Sequence, residues 1–85
     1  MSPKITIYTS PSCSHCQQLK QWLAEKSLAY TEKDVIDHEE NRNFIFQKTN
    51  QVEVPIIIIN SSKPPIETII IGFSPDKIKS ALSNF

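Results

Sequence analysis

The sequence lacks an excess of charge of either sign. Nine lysines and arginines balance nine aspartates and glutamates among 85 residues, so the formal net charge is +0. Proteins that bind nucleic acids or anionic membranes through bulk electrostatics need a clustered positive surface, and this balance argues against one. We therefore expect neither a nucleic acid nor a membrane among the partners.

The sequence also shows no membrane-spanning run, and we expect no secretory leader. The longest apolar stretch, Pro55–Ile59, is about as long as one strand, whereas a bilayer crossing requires roughly 20 residues. The residues from Met1 to Thr6 show no apolar segment followed by small residues, as a signal peptide would. We expect a cytoplasmic monomer, and the length predicts a single domain over residues 1–85.

Cysteine is scarce, and the two cysteines of the chain stand close together. Two are too few for the disulfide scaffold of a small secreted domain, which usually has about four or more. Cys13-Ser14-His15-Cys16 forms a C-x-x-C unit, and a bridge across so short a loop would add little stability. The pair is therefore expected to act through its chemistry.

Hydrophobic periodicity predicts the element order β-α-β-α-β-β-α. The predicted strands are Lys4–Tyr8, Tyr30–Val35, the run beginning at Pro55, and Ile66–Ile71; the predicted helices run from Cys16 to about Lys26 or Ser27, from His38 to about Thr49, and from Ser74 onward. The first β-α-β unit implies a parallel pair with a right-handed crossover, and the short turn over residues 60–65 favours an antiparallel hairpin. The fold class is α/β, with a four-stranded mixed sheet flanked by three helices.

Helix starts and apolar stripes support this division. Asp37 followed by Glu40 resembles a capping box for the second helix. Ser74-Pro75-Asp76 offers an N-cap hydroxyl, a proline at the first helical position and an acid near the positive end of the helix dipole. The expected stripes are Leu19, Trp22, Leu23 and Lys26 on the first helix, Phe44 and Ile45 on the second, and Ile78, Ala81, Leu82 and Phe85 on the last.

The C-x-x-C pair lies where the first predicted strand ends and the first helix begins. Cys13 is therefore expected near the first turn, exposed, where backbone N–H groups and the helix dipole favour a thiolate. Cys16, one turn further along, is expected closer to the core. Cys13 is the predicted nucleophile that forms a mixed disulfide with the substrate, and Cys16 is the predicted resolving thiol.

Zinc is the main rival partner for two such thiols. A structural zinc site needs about four ligands, and beyond the pair the chain offers only His15 and His38. His15 cannot readily fold back onto a metal held by the cysteines on either side of it. We therefore predict no metal and no bound cofactor in a single chain, and a cluster shared between two chains stays open.

The chain resembles the glutaredoxin family over essentially its whole length. The matching segments are Ile5–Thr9, Cys13–Cys16, Lys20, Val54-Pro55, and Gly72 with Asp76. The resemblance implies a thioredoxin fold, a cis peptide bond at Val54-Pro55 and Cys13 as the attacking thiol. It also implies that the backbone of Val54 pairs with the cysteinyl segment of the substrate as a short antiparallel strand, which a cis-proline would leave exposed.

Departures from the family pattern bear on the electron donor. Glutathione-using glutaredoxins have a lysine where this chain has Ser10, and a threonine where Glu53 stands before Val54. The site has thus lost a cation suited to the carboxylate of glutathione and gained an acid. Ser14-His15 replaces their Pro-Tyr, while Gln51 and Asp76 remain as glutathione contacts.

The segment from Gly72 to Asp76, which contains Phe73, replaces a glycine-rich stretch of those glutaredoxins. It is similar to the NrdH-redoxins, which take electrons from thioredoxin reductase and reduce ribonucleotide reductase. Phe73 is interpreted either as an apolar wall for a protein partner or as packing beneath the last helix. The donor is therefore expected to be either glutathione or a flavoprotein reductase.

The predicted function is thiol–disulfide exchange that reduces protein disulfides or glutathione mixed disulfides, with glutathione as the expected co-substrate. The alternatives are an NrdH-type electron donor to ribonucleotide reductase and an iron–sulfur carrier in which two chains hold a cluster through Cys13 and glutathione. His15 is interpreted as tuning the thiol or as an exposed loop residue, and Tyr8 as offering its hydroxyl to the substrate or as packing. The predicted catalytic residues are Cys13 and Cys16, and the predicted substrate-binding residues are Tyr8, His15, Gln51, Val54, Pro55, Gly72, Phe73 and Asp76.

Overall fold

The computed structural model describes residues 3–62 and 65–83, and these contain seven elements in the predicted order. The strands are β1 (Lys4–Thr9), β2 (Thr31–Asp34), β3 (Ile56–Ser62) and β4 (Pro65–Ile71), and the helices are α1 (Ser14–Glu25), α2 (Glu39–Thr49) and α3 (Pro75–Leu82). The strands form one sheet in the order β2-β1-β3-β4. β1 is parallel to β2, and β3 is antiparallel to both of its neighbours. The predicted mixed sheet and its closing hairpin are confirmed.

Each face of the sheet carries its own hydrophobic cluster. The first cluster joins β1, β3 and β4 to α1 and α3, and its members are Ile5, Ile7, Leu19, Leu23, Ile57, Ile59, Ile70, Ile78 and Ala81. The second cluster lies on the opposite face under α2, and its members are Tyr8, Val35, Ile45, Ile56 and Ile58. Successive isoleucines of β3 therefore alternate between two buried faces, which explains why this strand is continuously apolar.

The start of α1 differs from the prediction. The helix begins at Ser14 and not at Cys16, because Cys13 occupies the N-cap position with an extended backbone. Cysteine is not among the usual N-cap residues, so the sequence pattern placed the start too late. The stripe is otherwise confirmed for Leu19 and Leu23, which are fully buried. Trp22 is only partly buried against the first cluster, and Lys26 lies outside the stripe as the exposed C-cap.

The predicted capping box at the start of α2 is wrong. The N-cap is His38, which makes no side-chain cap hydrogen bond, so Asp37 lies one residue too early to act with Glu40. A different carboxylate organises this turn. Asp34 accepts hydrogen bonds from the backbone N–H groups of Ile36 at 2.6 Å and Asp37 at 3.0 Å, and these bonds turn the chain between β2 and α2.

The start of α3 agrees with the prediction in part. Pro75 is the first helical residue and Asp76 lies in the first turn, as expected. Ser74 is the N-cap by its backbone, but its hydroxyl makes no cap hydrogen bond, so that expectation is wrong. Ile78 and Ala81 are buried as predicted. Phe85, the last residue of the predicted stripe, lies outside the described residues.

The β3–β4 hairpin is tighter than predicted. Both strands extend into the segment over residues 60–65, of which Lys63 and Pro64 lie outside the described residues. β4 is an edge strand, and Ile66, Ile69 and Ile71 are 36%, 36% and 39% exposed. The hairpin therefore closes the core on one side and leaves an apolar sheet edge.

Candidate active site

The two cysteines form a disulfide where β1 turns into α1. Their Cα atoms are 5.2 Å apart, so the structure holds the oxidised form of the pair. Cys13 is half-buried, whereas Cys16 is fully buried. A substrate can therefore approach the sulfur of Cys13 but not that of Cys16.

Backbone groups around Cys13 favour negative charge on its sulfur. As the N-cap residue, Cys13 accepts a hydrogen bond at Sγ from the backbone N–H of Cys16 at 3.1 Å. The N–H of Cys13 donates to the carbonyl oxygen of Ser10 at 3.3 Å and holds the turn in place. The first turn of α1 contains no acidic side chain that would offset the positive end of the helix dipole. After reduction, the same N–H donor and dipole would stabilise a thiolate at Cys13.

The Val54-Pro55 segment lies directly beside this sulfur. Its peptide bond is cis, as the resemblance implied, and the carbonyl oxygen of Val54 is 3.8 Å from Cys13 Sγ. Pro55 is buried, and its carbonyl oxygen accepts the N–H of Gly72 at 2.8 Å. Gly72 has φ +90, a conformation that glycine adopts at little cost. The end of β4 thus anchors the loop that carries Val54.

Tyr8 lies in the second cluster and is 4% exposed. Its ring is stacked on that of Phe44, with centroids 5.9 Å apart. Burial raises the pKa of the Tyr8 hydroxyl, and the negative charge of Glu67 adds to the effect. The packing interpretation accounts for this position, and contact between the hydroxyl and a substrate stays a prediction.

The other predicted substrate-binding residues make no hydrogen bond to the cysteine pair within the described ranges. His15 is exposed in the first turn of α1, and Asp76 is exposed in the first turn of α3. Phe73 is partly buried against the first cluster, as its packing interpretation requires. Gln51 is half-buried and follows α2. Hydrogen bonds and the disulfide connect Cys13, Cys16, Val54, Pro55 and Gly72 within the described ranges, and the binding roles of the rest stay predictions.

The structure also contains a polar network that no sequence motif indicates. The hydroxyl of Thr9, at the end of β1, donates to Oε2 of Glu32 at 2.7 Å, and Lys20 Nζ lies 3.1 Å from the same oxygen. The hydrogen bond from Thr9 is the main cause that lowers the pKa of Glu32, Lys20 adds to it, and burial opposes it. The parallel pairing predicted for the first two strands was the only sequence signal that could have brought Glu32 near Thr9.

A polar cleft of about 640 Å³ opens beside this network and the active-site turn, and Thr9, Ser10, Gln17, Lys20 and Glu32 contribute to its lining. Over residues 3–62 and 65–83, no three side chains of the His, Cys, Asp or Glu type gather as metal ligands would. No helix within those same ranges is both long enough and apolar enough to span a membrane.

Known proteins resemble this chain in both sequence and structure. The family model described as Glutaredoxin matches residues 5–62. An "uncharacterized glutaredoxin-like 8.6 kDa protein in rubredoxin operon" from Clostridium pasteurianum is 30% identical over 74 residues, which cover 87% of this chain and 91% of that protein. The gene 56 protein of Mycobacterium phage D29 is 28% identical over 85 residues, which cover 100% of this chain and 89% of that protein.

Among solved structures, the thioredoxin-like protein BC3987 matches with a TM-score of 0.74 and 26% identity, over 91% of this chain and 97% of that protein. The predicted thioredoxin fold is thereby confirmed. The family match spans β1 through β3 and includes both cysteines and the cis-proline, which are the groups that meet at the disulfide. A redox-active cysteine pair at the start of α1, on this fold and within this match, makes the chain a member of the glutaredoxin family.

Proposed function

We propose that the protein reduces disulfides in protein substrates by dithiol exchange through Cys13 and Cys16. The N-cap position of Cys13 is the observation that carries the proposal. Its sulfur is open to a substrate and accepts the N–H of Cys16 at 3.1 Å, while Cys16 itself is fully buried. One thiol can therefore attack from the surface, and the other is kept for the second step.

The exchange takes two steps from the reduced protein. The Cys13 thiolate attacks one sulfur of the substrate disulfide, the substrate S–S bond breaks, and the other substrate sulfur leaves as a thiolate. Cys16 then loses its proton and attacks Cys13 Sγ, which releases the remaining substrate sulfur as a thiolate. Two electrons have passed to the substrate, and the protein returns to the Cys13–Cys16 disulfide present in this structure.

The backbone of Val54 is the proposed docking edge for the substrate. An extended peptide that pairs with the backbone of this half-buried loop segment gains main-chain hydrogen bonds with little dependence on its sequence. The Val54 carbonyl oxygen is 3.8 Å from Cys13 Sγ, so a cysteine in the paired segment would arrive next to the attacking sulfur. Pro55, Gly72 and Phe73 would hold this docking edge in place against the end of β4 and the first cluster.

Glutathione is the first proposed source of the returning electrons. Two glutathione thiols would reduce the Cys13–Cys16 disulfide and leave as one oxidised glutathione. His15, Gln51, Tyr8 and Asp76 are the proposed further contacts of glutathione or of the substrate. The cytoplasm is the expected compartment, since glutathione and thioredoxin keep thiols reduced there. A single chain, with no bound cofactor, carries every group that the two exchange steps use.

A flavoprotein reductase of the thioredoxin reductase class is the second proposed electron source, as in the NrdH-redoxins. Glu53 is exposed immediately before Val54, and its carboxylate would repel the carboxylates of glutathione. Phe73 packs against the first cluster and follows Gly72, whose N–H binds the carbonyl oxygen of Pro55. An exposed acid at the docking edge disfavours a small anionic peptide more than it disfavours a protein partner.

Coupled assays distinguish the two donors. Oxidation of NADPH would be followed with a protein disulfide as substrate, once with glutathione and glutathione reductase and once with thioredoxin reductase. We expect turnover in at least one system and none with Cys13→Ser in either. Failure of the folded wild-type protein in both systems would contradict the proposed function. Visible absorbance of protein purified without oxygen tests the third possibility, because an iron-free and colourless sample removes the cluster carrier.

A further inference from the structure

One carboxylate connects β1, β2 and α1, and two of these elements, β1 and α1, meet at the cysteine pair. Oε2 of Glu32, on β2, accepts the hydroxyl of Thr9 on β1 at 2.7 Å and lies 3.1 Å from Nζ of Lys20 on α1. Thr9 is 3% exposed, whereas the side chains of Lys20 and Glu32 are 26% and 38% exposed. The hydroxyl is therefore fixed inside the fold, and the ion pair lies at the edge of the polar cleft.

Each end of this network lies four residues from a cysteine of the pair along the chain: Thr9 precedes Cys13, and Lys20 follows Cys16. Thr9 directly precedes Ser10, whose carbonyl oxygen accepts the N–H of Cys13 at 3.3 Å. Lys20 follows Cys16 by four residues on α1, which is about one helical turn, or roughly 6 Å along the axis. Cys13, which carries the thiolate, is seven residues from Lys20, or roughly 10 Å along the same axis, a separation over which a charge still affects a thiolate at low salt.

We infer that Glu32 and Lys20 are positioning residues for the proposed exchange, and that the balance between their opposite charges sets how strongly the pair favours its reduced form. The inference rests on the proposed function only in assigning the exchange to this pair. Because the two charges are opposite and close together, their electrostatic effects on the cysteine pair largely cancel. Loss of Glu32 alone leaves the ammonium group of Lys20, which stabilises a thiolate, and loss of Lys20 alone leaves a carboxylate, which destabilises it.

Other charged groups also face this region and remain in every variant. Lys33 and Asp34 on β2, and His38 and Glu40 at the start of α2, line the same cleft. Asp34 is engaged by backbone N–H groups, and His38 Nδ1 lies 3.5 Å from Glu40 Oε1. Their contribution is common to all variants, so a difference between variants reports the Lys20–Glu32 pair.

The reduction equilibrium of the cysteine pair tests the inference. Wild type, Glu32→Gln, Lys20→Gln and the double variant would be equilibrated in glutathione redox buffers at pH 7 and low salt. Alkylation and mass spectrometry would then give the reduced fraction. We expect an equilibrium constant shifted about threefold toward the dithiol in Glu32→Gln and about threefold toward the disulfide in Lys20→Gln. The double variant should return close to wild type, and both shifts should shrink in high salt.

Matched controls come from the second close ion pair of the described ranges. Lys48 and Glu67 lie 2.9 Å apart between α2 and β4, and Glu67 pairs with Asn60 toward the end of β3 away from Pro55. Lys48→Gln and Glu67→Gln should leave the equilibrium unchanged. Shifts of the same sign in the two cleft variants, or shifts no larger than in these controls, would overturn the inference.

The measurement also separates this inference from the proposed function. It uses no protein disulfide substrate and no reductase enzyme, and glutathione serves only as the redox buffer, so the equilibrium can be unaffected while turnover is normal, or shifted while turnover is absent. Urea unfolding of each variant shows whether the fold is retained. A purely structural role would destabilise both single variants, and it would not move the reduction equilibrium in opposite directions.

Discussion

The carbonyl oxygen of Val54 lies 3.8 Å from Sγ of Cys13, although 41 residues separate the two in sequence. The proposed docking edge and the attacking sulfur therefore form one surface. The hydrogen bond from Gly72 to the carbonyl oxygen of Pro55, at 2.8 Å, holds that surface against the end of β4. Recognition of an extended peptide and attack on its disulfide can thus occur in a single encounter.

Replacement of each cysteine should separate the two steps of the exchange. Cys13→Ser removes the nucleophile and should abolish disulfide reduction. Cys16→Ser keeps the attack but removes the resolving thiol, so it should accumulate mixed disulfides with the substrate. Mass spectrometry of the trapped adduct provides the measurement, with Ser14→Ala as a control in the same turn. Comparable turnover in wild type and Cys13→Ser would refute the assignment.

Gly72→Ala should destabilise the protein through its backbone. The residue has φ +90, and no atom beyond its two chain neighbours lies within 4 Å of the position that an added Cβ would occupy. The cost therefore comes from the backbone conformation and not from a steric clash. We expect a loss of about 1–2 kcal/mol in the free energy of unfolding, measured by urea denaturation. Ser80→Ala, exposed on α3, is the control, and an equal effect of the two changes would contradict this prediction.

Asp34→Asn should reduce the loss of folding free energy that the protein suffers as the pH falls below about 4. The backbone N–H of Asp37, followed by that of Ile36, holds the pKa of Asp34 below its ordinary value of 3.8. The unfolded chain therefore takes up this proton at a higher pH than the folded chain does. The stabilisation is complete well above pH 3.8 and is lost as the pH falls from there toward the lower folded pKa.

Asparagine at position 34 still accepts both N–H groups but does not titrate. Urea denaturation at pH 7, 4 and 3 should show a smaller loss of stability in Asp34→Asn than in wild type. Asp76→Asn is the matched control, because Asp76 is exposed and accepts no hydrogen bond among the described residues. If the free energy of unfolding of Asp34→Asn fell with pH as steeply as that of wild type, the Asp34 carboxylate would not contribute to the acid dependence of stability.

Glu53→Thr should improve the use of glutathione mixed disulfides. Glu53 is exposed immediately before Val54, so its removal takes a repelling charge from the docking edge. At low salt we expect KM to fall about two- to threefold with kcat little changed, and we expect the difference to disappear in high salt. Glu39→Gln, in the exposed first turn of α2, is the control. An unchanged KM at low ionic strength would count against the repulsion.

The order and pairing of the elements could be predicted because local patterns encode them. Alternation in β1 and the apolar run after Pro55 identified the strands that form the centre of the sheet. Helix boundaries could not be predicted accurately where an unusual group caps or precedes the helix. Cys13 caps α1 through its sulfur, and Asp34 turns the chain before α2, so rules based on Ser, Thr, Asp and Asn at the usual spacing failed at both places.

The cysteine pair could be predicted from its spacing, whereas the Thr9–Glu32–Lys20 network could not. Thr9, Lys20 and Glu32 are ordinary polar residues when taken one by one, and they lie on three separate elements. Only the parallel register of β1 and β2, with Ile7 opposite Glu32, brings them together. Contacts of this kind depend on the assembled sheet, so a single sequence without that register cannot reveal them.

The isoleucine-rich edge of β4 has a consequence for handling the protein in the laboratory. An apolar edge strand offers the backbone groups of its outer side to any similar strand, including the same strand of a neighbouring molecule. Concentrated samples should thus associate edge to edge and eventually precipitate. A lysine introduced at Ile69 would act as a gatekeeper there and prolong the storage life of the sample, because it charges a side chain that is already 36% exposed.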